Sequence, residues 1–118
     1  MKNLAPEIFR QRLLIEAKYD CELDKNKILQ YFEELTKALD THIYGKPEVH
    51  STGGKGKWIN QGFDAFAPLV DSGISIYVWT NAKFLSVLIY TCKKFMPKAA
   101  LKFTKKFFKI KEIESMEF

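Results

Sequence analysis

Two strand-like runs, ISIYVW (Ile74–Trp79) and FLSVLIYTC (Phe84–Cys92), lie back to back with only Thr80–Lys83 between them. Both are rich in β-branched and aromatic residues, which suit a pleated, half-buried surface. A four-residue connection is long enough for a hairpin and far too short for a parallel crossover, which takes a dozen residues or more. The chain is therefore committed to an antiparallel pair, and everything else must pack around it.

The neighbouring segments follow from period and punctuation. Arg12–Tyr19 is apolar and short, as a buried strand is. Asp24 is placed to cap a helix over Lys25–Leu39, with Ile28, Leu29, Phe32, Leu35 and Leu39 on one face. Thr41–Lys57 carries Gly45, Pro47, Gly53, Gly54 and Gly56 and reads as loop with room for one short extended piece. Trp58–Val70 reads as extended but irregular. Pro97 suits the first turn of a helix running to Phe108, with Ala100, Phe103, Thr104 and Phe107 inward. Ile110–Met116 alternates again and closes the domain as a strand. This order predicts one α+β domain over residues 1–118: a two-layer sandwich with helices on one face of a mainly antiparallel sheet. The other sheet face then needs a cover, and a second copy packed sheet to sheet supplies one.

Charge and composition exclude several classes. The formal net charge is +5, and Lys98, Lys102, Lys105 and Lys109 repeat at helical spacing, which reads as a solvated helix face. No nucleic-acid motif accompanies them, so no nucleic-acid partner is expected. No apolar run is long enough to span a membrane, and Glu7 and Arg10 fall where a signal peptide needs apolar residues. With two cysteines, Cys21 and Cys92, no disulfide framework is implied; reduced thiols and a cytoplasmic location are expected. STGGKGKW resembles a phosphate loop, but Lys57 is followed by Trp58, and Ser51 stands in the place of the first glycine. His42 and His50 lack partners at ligand spacing, so no metal is expected.

The stretch DSGISIYVW carries the remaining signal. Ser72 either is a turn residue ahead of a strand or stands where a catalytic group is made. Four motifs in order resemble the small prokaryotic S-adenosylmethionine decarboxylases, pyruvoyl enzymes of polyamine biosynthesis. LLIEAKYDCELD resembles the opening strand and its Cys-Asp-like turn. NQGFD, Asn60–Asp64, occupies the place of a Pro-x-Gly-Val-Ser element. DSGISIYVW stands for Glu-Ser-His-x-Ser/Thr-Ile-His-Thr-Trp, and IYTC, Ile89–Cys92, for Phe-Thr-Cys. Cys92 falls twenty residues after Ser72, as the family requires. The resemblance runs from about Arg12 to Glu117.

The resemblance implies a role for each position. Ser72 would attack the carbonyl of Asp71, break the Asp71–Ser72 bond and become a covalent pyruvoyl group, with no cofactor from outside. That ketone forms a Schiff base with a substrate amine and acts as an electron sink during decarboxylation. Cys92 would return a proton. The family histidine five residues after the serine is Tyr77 here, and a phenol titrates near 10 against about 6.5 for imidazole. The family serine eight residues before the cleavage point is Asp64, and the histidine after the serine is Gly73. Trp79 is kept, but Trp-Pro-Glu becomes Trp79-Thr80-Asn81, losing an acid that grips ribose hydroxyls in the family. Trp58, Phe63 and Tyr77 offer aromatic faces to a sulfonium or ammonium ion, and suit core or dimer packing equally. The resemblance, with these departures from it, thus implies a homologue with lost or weak self-processing. It would bind an amine or adenosyl small molecule, or pair with a paralogous active decarboxylase. An active decarboxylase of S-adenosylmethionine, arginine or ornithine is the alternative.

Overall fold

The computed structural model describes residues 1–53 and 56–118. Its elements are β1 (Gln11–Tyr19), α1 (Lys25–Ala38), β2 (Glu48–Ser51), a 3-10 turn at Trp58–Asn60, β3 (Gly62–Leu69), β4 (Ser72–Trp79), β5 (Phe84–Thr91), α2 (Pro97–Phe107) and β6 (Ile110–Glu117). The strands form one six-stranded sheet in the order β2-β3-β4-β5-β1-β6. Every pairing in it is antiparallel. This is the α+β sheet-and-helix architecture expected from the sequence. The expected hairpin is β4–β5, with Trp79 opposite Phe84. Trp58–Val70 is more regular than its sequence suggests: after the 3-10 turn, β3 pairs with β4 along its whole length. The expected glycine loop contains β2 as its short extended piece, and its Gly54 and Lys55 lie outside the described residues.

Alternation divides the sheet into two unlike faces. Leu13, Ile15 and Ala17 of β1, Ile74, Ile76 and Val78 of β4, and Leu85, Val87 and Ile89 of β5 are buried in one core. The same core takes Ile28, Phe32 and Leu35 from α1, and Ala100 and Phe108 from α2 and its C-cap. Each large side chain so buried contributes about 1.5–3 kcal/mol relative to exposure. Asp24 starts α1 by accepting the Lys27 amide at 2.8 Å. The far end of α1 closes with Thr41 N–H on Thr36 carbonyl oxygen at 2.8 Å and Asp40 N–H on that of Lys37 at 3.2 Å. Asp40 takes φ +54° there, the left-handed residue such a cap needs. This cap turns the chain toward the β3–β4 connection.

Two details of the helix layer differ from the sequence reading. Leu29, Phe103 and Phe107 are only half-buried, whereas Tyr31 is fully buried between the helices. The Thr104 hydroxyl donates to the Ala100 carbonyl at 2.7 Å, so the Tyr31 hydroxyl at 2.9 Å is the donor to Thr104 Oγ1. Burial pushes the Tyr31 phenol well up, opposed by the bond to Thr104. A satisfied hydroxyl lets a tyrosine occupy a position that period analysis reserves for purely apolar residues.

The opposite sheet face carries no helix. Phe66, Tyr77, Tyr90 and Met116 point from it and remain 47%, 41%, 39% and 54% exposed. Leu14 and Leu88, directly opposed in the register, lie between them half-buried. The middle of this face is thus a largely apolar surface with no helix over it.

Candidate active site

Val70 and Asp71 are the two residues of the β3–β4 turn, with Leu69 and Ser72 as the closing pair. Asp71 sits at φ +52°, a conformation aspartate tolerates better than most residues. The turn holds the Asp71–Ser72 peptide bond at the rim of the sheet. Neighbouring β5 ends there too, at Thr91, which brings Cys92 alongside.

Ser72 and Cys92 are in contact. The Cys92 backbone N–H donates to Ser72 Oγ at 2.9 Å, and the Ser72 hydroxyl donates to Cys92 Sγ at 3.6 Å. The thiol in turn donates to the Val70 carbonyl at 3.6 Å. Both cysteines are free thiols, and Cys21, just past the end of β1, lies at the opposite end of the sheet from Cys92.

Ser72 lines two hollows. One, of about 250 Å³ and apolar for most of its surface, lies among Asp40, His42, Val70, Ser72, Cys92 and Lys93. The other, of about 320 Å³, opens on the helix-free face beside Phe66, Asp71, Gly73, Leu88 and Tyr90. Gly73 has a steric reason to be glycine. A Cβ there would stand 2.5 Å from Cε1 of Phe66, so the Phe66 ring occupies the room of the side chain that would follow Ser72. Lys93 fastens one wall of the first hollow, donating to the Asp40 carbonyl at 2.7 Å and its carboxylate at 3.3 Å.

The other sequence-predicted residues lie elsewhere in the chain. Tyr77 is five strand positions from Ser72, about 16 Å at the rise of a β-strand, and projects from the open face. Asp64 is its direct cross-strand partner. The register continues this line across the whole sheet: His50, Asp64, Tyr77, Ser86, Glu16 and Glu114 are successive partners. Trp79 packs its ring 5.2 Å from that of Phe84. Asn81 donates to the Trp58 carbonyl at 2.7 Å, and Trp58 itself is 70% exposed. Phe63, near the start of β3, is half-buried against the core. A single chain therefore carries two groups of candidate residues at opposite ends of the sheet. Ser72, Asp71 and Cys92 form one; Asp64, Tyr77, Trp79, Phe63, Trp58 and Asn81 form the other. Among the described residues, no three His, Cys, Asp or Glu side chains gather as a metal site, and no helix is long and apolar enough to cross a membrane.

The family model for S-adenosylmethionine decarboxylase matches residues 12–118. The chain belongs to that family. Among curated relatives, the S-adenosylmethionine decarboxylase proenzyme of Clostridium botulinum type A, strain Hall, is 28% identical over 104 residues, covering 84% of each chain. A second type A strain of the same species gives the same match. Among solved structures, the adenosylmethionine decarboxylase of Aquifex aeolicus VF5 superposes with a TM-score of 0.72 at 18% identity, over 94% of this chain and 89% of that one. That likeness carries the fold, and the family match carries the family.

From its sequence context His42 is weighed only as a metal ligand and set aside. It lacks any ligand spacing, and only the structure shows what lies beside it.

Proposed function

We propose that this family member acts in polyamine metabolism as a decarboxylase-like protein in which self-processing is stalled. It binds an amine or adenosyl small molecule, or associates with an active decarboxylase, from the cytoplasm. The carrying observation is the state of the Ser72 centre. The nucleophile and the thiol are assembled, while position 77 holds a phenol and position 64 a carboxylate. A phenol has no basic nitrogen lone pair like that of imidazole, which makes it a poor acceptor for the serine α-proton. An ionised carboxylate has no hydroxyl hydrogen to donate to a developing oxyanion.

The two groups of residues at opposite ends of one sheet favour a homodimer. If two helix-free faces pack together about a two-fold axis crossing the strands, the Ser72 end of one protomer lies over the Asp64–Tyr77–Trp79 end of the other. Each composite site then draws on both chains, in helix–sheet–sheet–helix layers. Trp58, Trp79 and Tyr77 supply aromatic faces for a cationic ligand, and Asn81 stands where an acidic residue would grip ribose more strongly. Hydrogen bonds to a charged group contribute about 1.5–3 kcal/mol, against about 0.5–1.5 for neutral ones, so adenosyl binding is weakened.

The Ser72–Cys92 contact favours a second reading, an active pyruvoyl-dependent decarboxylase with Cys92 as proton donor. Release of labelled carbon dioxide from carboxyl-labelled S-adenosylmethionine, arginine and ornithine separates the two. The stalled chain releases none above the rate of its Ser72→Ala variant. Turnover with any of the three that Ser72→Ala lacks would make the second reading the function.

A further inference from the structure

The hollow on one side of Ser72 contains a histidine that no family motif supplies. The chain leaves α1 through the Asp40 cap, and Ile43 then bridges Leu69 while the Tyr44 N–H donates to the Pro68 carbonyl at 2.8 Å. These two attachments lay residues 43–44 antiparallel to the end of β3. One step before Ile43, His42 comes abreast of Val70, next to the bond that processing breaks. Lys93 holds the other flank of the segment through Asp40. His42, Ser72 and Cys92 thus line the same hollow of about 250 Å³.

The charged and titratable groups around that hollow are Asp40, His42, Cys92 and Lys93. Lys93 and Asp40 are engaged with each other, and an ammonium group has no lone pair to accept a proton. The Cys92 thiol is occupied with Ser72 and Val70. Asp71 faces the other hollow, on the helix-free side. The His42 ring is exposed and has no hydrogen bond or ion pair among the described residues, so it is free to turn inward. Of the groups present, it is the proton acceptor left over.

We infer that His42 is the base for the first step of processing at Ser72, an inference that rests on the stalled-processing reading above. Imidazole nitrogen takes the Ser72 Oγ proton as Oγ bonds to the Asp71 carbonyl carbon. The C–N bond then breaks, and the leaving nitrogen takes that proton back from imidazolium. The product is an ester between the Asp71 carbonyl and Ser72 Oγ, with a free amine on Ser72 and no net proton change. The next step, removal of the Ser72 α-proton with rupture of the Cβ–Oγ bond, falls to position 77, and there the reaction stops. The chain rests as an amide in exchange with a small amount of ester.

Hydroxylamine reads that ester directly, because it attacks the ester carbonyl and releases a fragment ending in the hydroxamate of Asp71 and another beginning with Ser72. Intact mass of the full chain at neutral pH, with and without hydroxylamine, is the experiment. Wild type is expected to split between Asp71 and Ser72 only when hydroxylamine is present, and Ser72→Ala not at all. His42→Ala and His42→Gln should be trapped roughly a hundredfold more slowly, the usual contribution of a positioned base. Free imidazole in the buffer should restore much of the His42→Ala rate, which a folding defect could not mimic. Trapping of both His42 variants at the wild-type rate overturns the assignment, as does a wild type that hydroxylamine never splits; either result leaves the stalled reading intact. Spontaneous cleavage of wild type to a carbonyl-bearing fragment counts against the stalled reading instead. The assignment of His42 then stands if His42→Ala slows that cleavage and falls if it does not.

Discussion

Replacing Asp64 by serine and Tyr77 by histidine together should convert an intact chain into one that slowly cuts itself between Asp71 and Ser72. The expectation follows from what each residue type can do. Histidine at 77 supplies a base that titrates near neutral pH in place of a phenol. Serine at 64 restores a hydroxyl donor and removes a negative charge from the end of the sheet that the proposed dimer lays over the partner protomer's reacting serine. Because Asp64 and Tyr77 are cross-strand partners, the two changes act on one spot and are expected to be strongly non-additive. Partial rescue is expected rather than full activity. Gly73 still stands after Ser72, and the Phe66 ring fills the space a histidine would need there. The products are two fragments, and the one beginning at position 72 carries a carbonyl that reacts with hydrazine. A double variant that stays whole would show that the missing base and hydroxyl are not what stops the reaction.

A single charge at the middle of the helix-free face should separate the proposed dimer. Leu88 lies on that face, opposite Ser75 of β4 and Leu14 of β1, and its side chain points away from the helices. Leu88→Glu therefore leaves the core untouched but buries two unpaired carboxylates in the interface, one from each protomer. Desolvating a charge without a partner costs several kcal/mol. At about 1.4 kcal/mol per tenfold, the dissociation constant should rise by roughly three orders of magnitude or more. Sedimentation at micromolar concentration should report twice 13.7 kDa for wild type and 13.7 kDa for the variant. A wild type that is monomeric at every concentration removes the composite-site argument, and a dimeric Leu88→Glu moves the interface to another surface.

Much of the fold could be read from the chain because its signals are local. The short Thr80–Lys83 connection forces the β4–β5 hairpin, Asp24 caps α1, and Pro97 opens α2. The regularity of β3 could not be read this way, since Gly62 and Pro68 weaken its local strand preference and pairing with β4 overrides them. At Gly62 the requirement is tertiary: a Cβ there would lie 1.7 Å from the Val78 carbonyl oxygen, so the glycine marks close strand approach rather than loop. Tyr31 was hidden for a different reason, since its hydroxyl breaks the apolar period until Thr104 is seen to satisfy it. For the candidate site, the Ser72–Cys92 pair was legible through motif order and a spacing of twenty residues. The separation of Asp64 and Tyr77 from Ser72 was not, because motif order along the chain says nothing about which end of a strand a residue occupies. His42 needed the Ile43–Leu69 bridge, a contact between segments distant in sequence.

Whether Ser72 completes its own conversion is measured directly by intact mass of the freshly purified wild-type chain, followed over days at neutral pH without any nucleophile. A single species that stays at the full mass of 13.7 kDa throughout is the result the stalled centre predicts. Two fragments that meet at the Asp71–Ser72 bond, the later one bearing a hydrazine-reactive carbonyl, would contradict it and make this family member a self-processing decarboxylase.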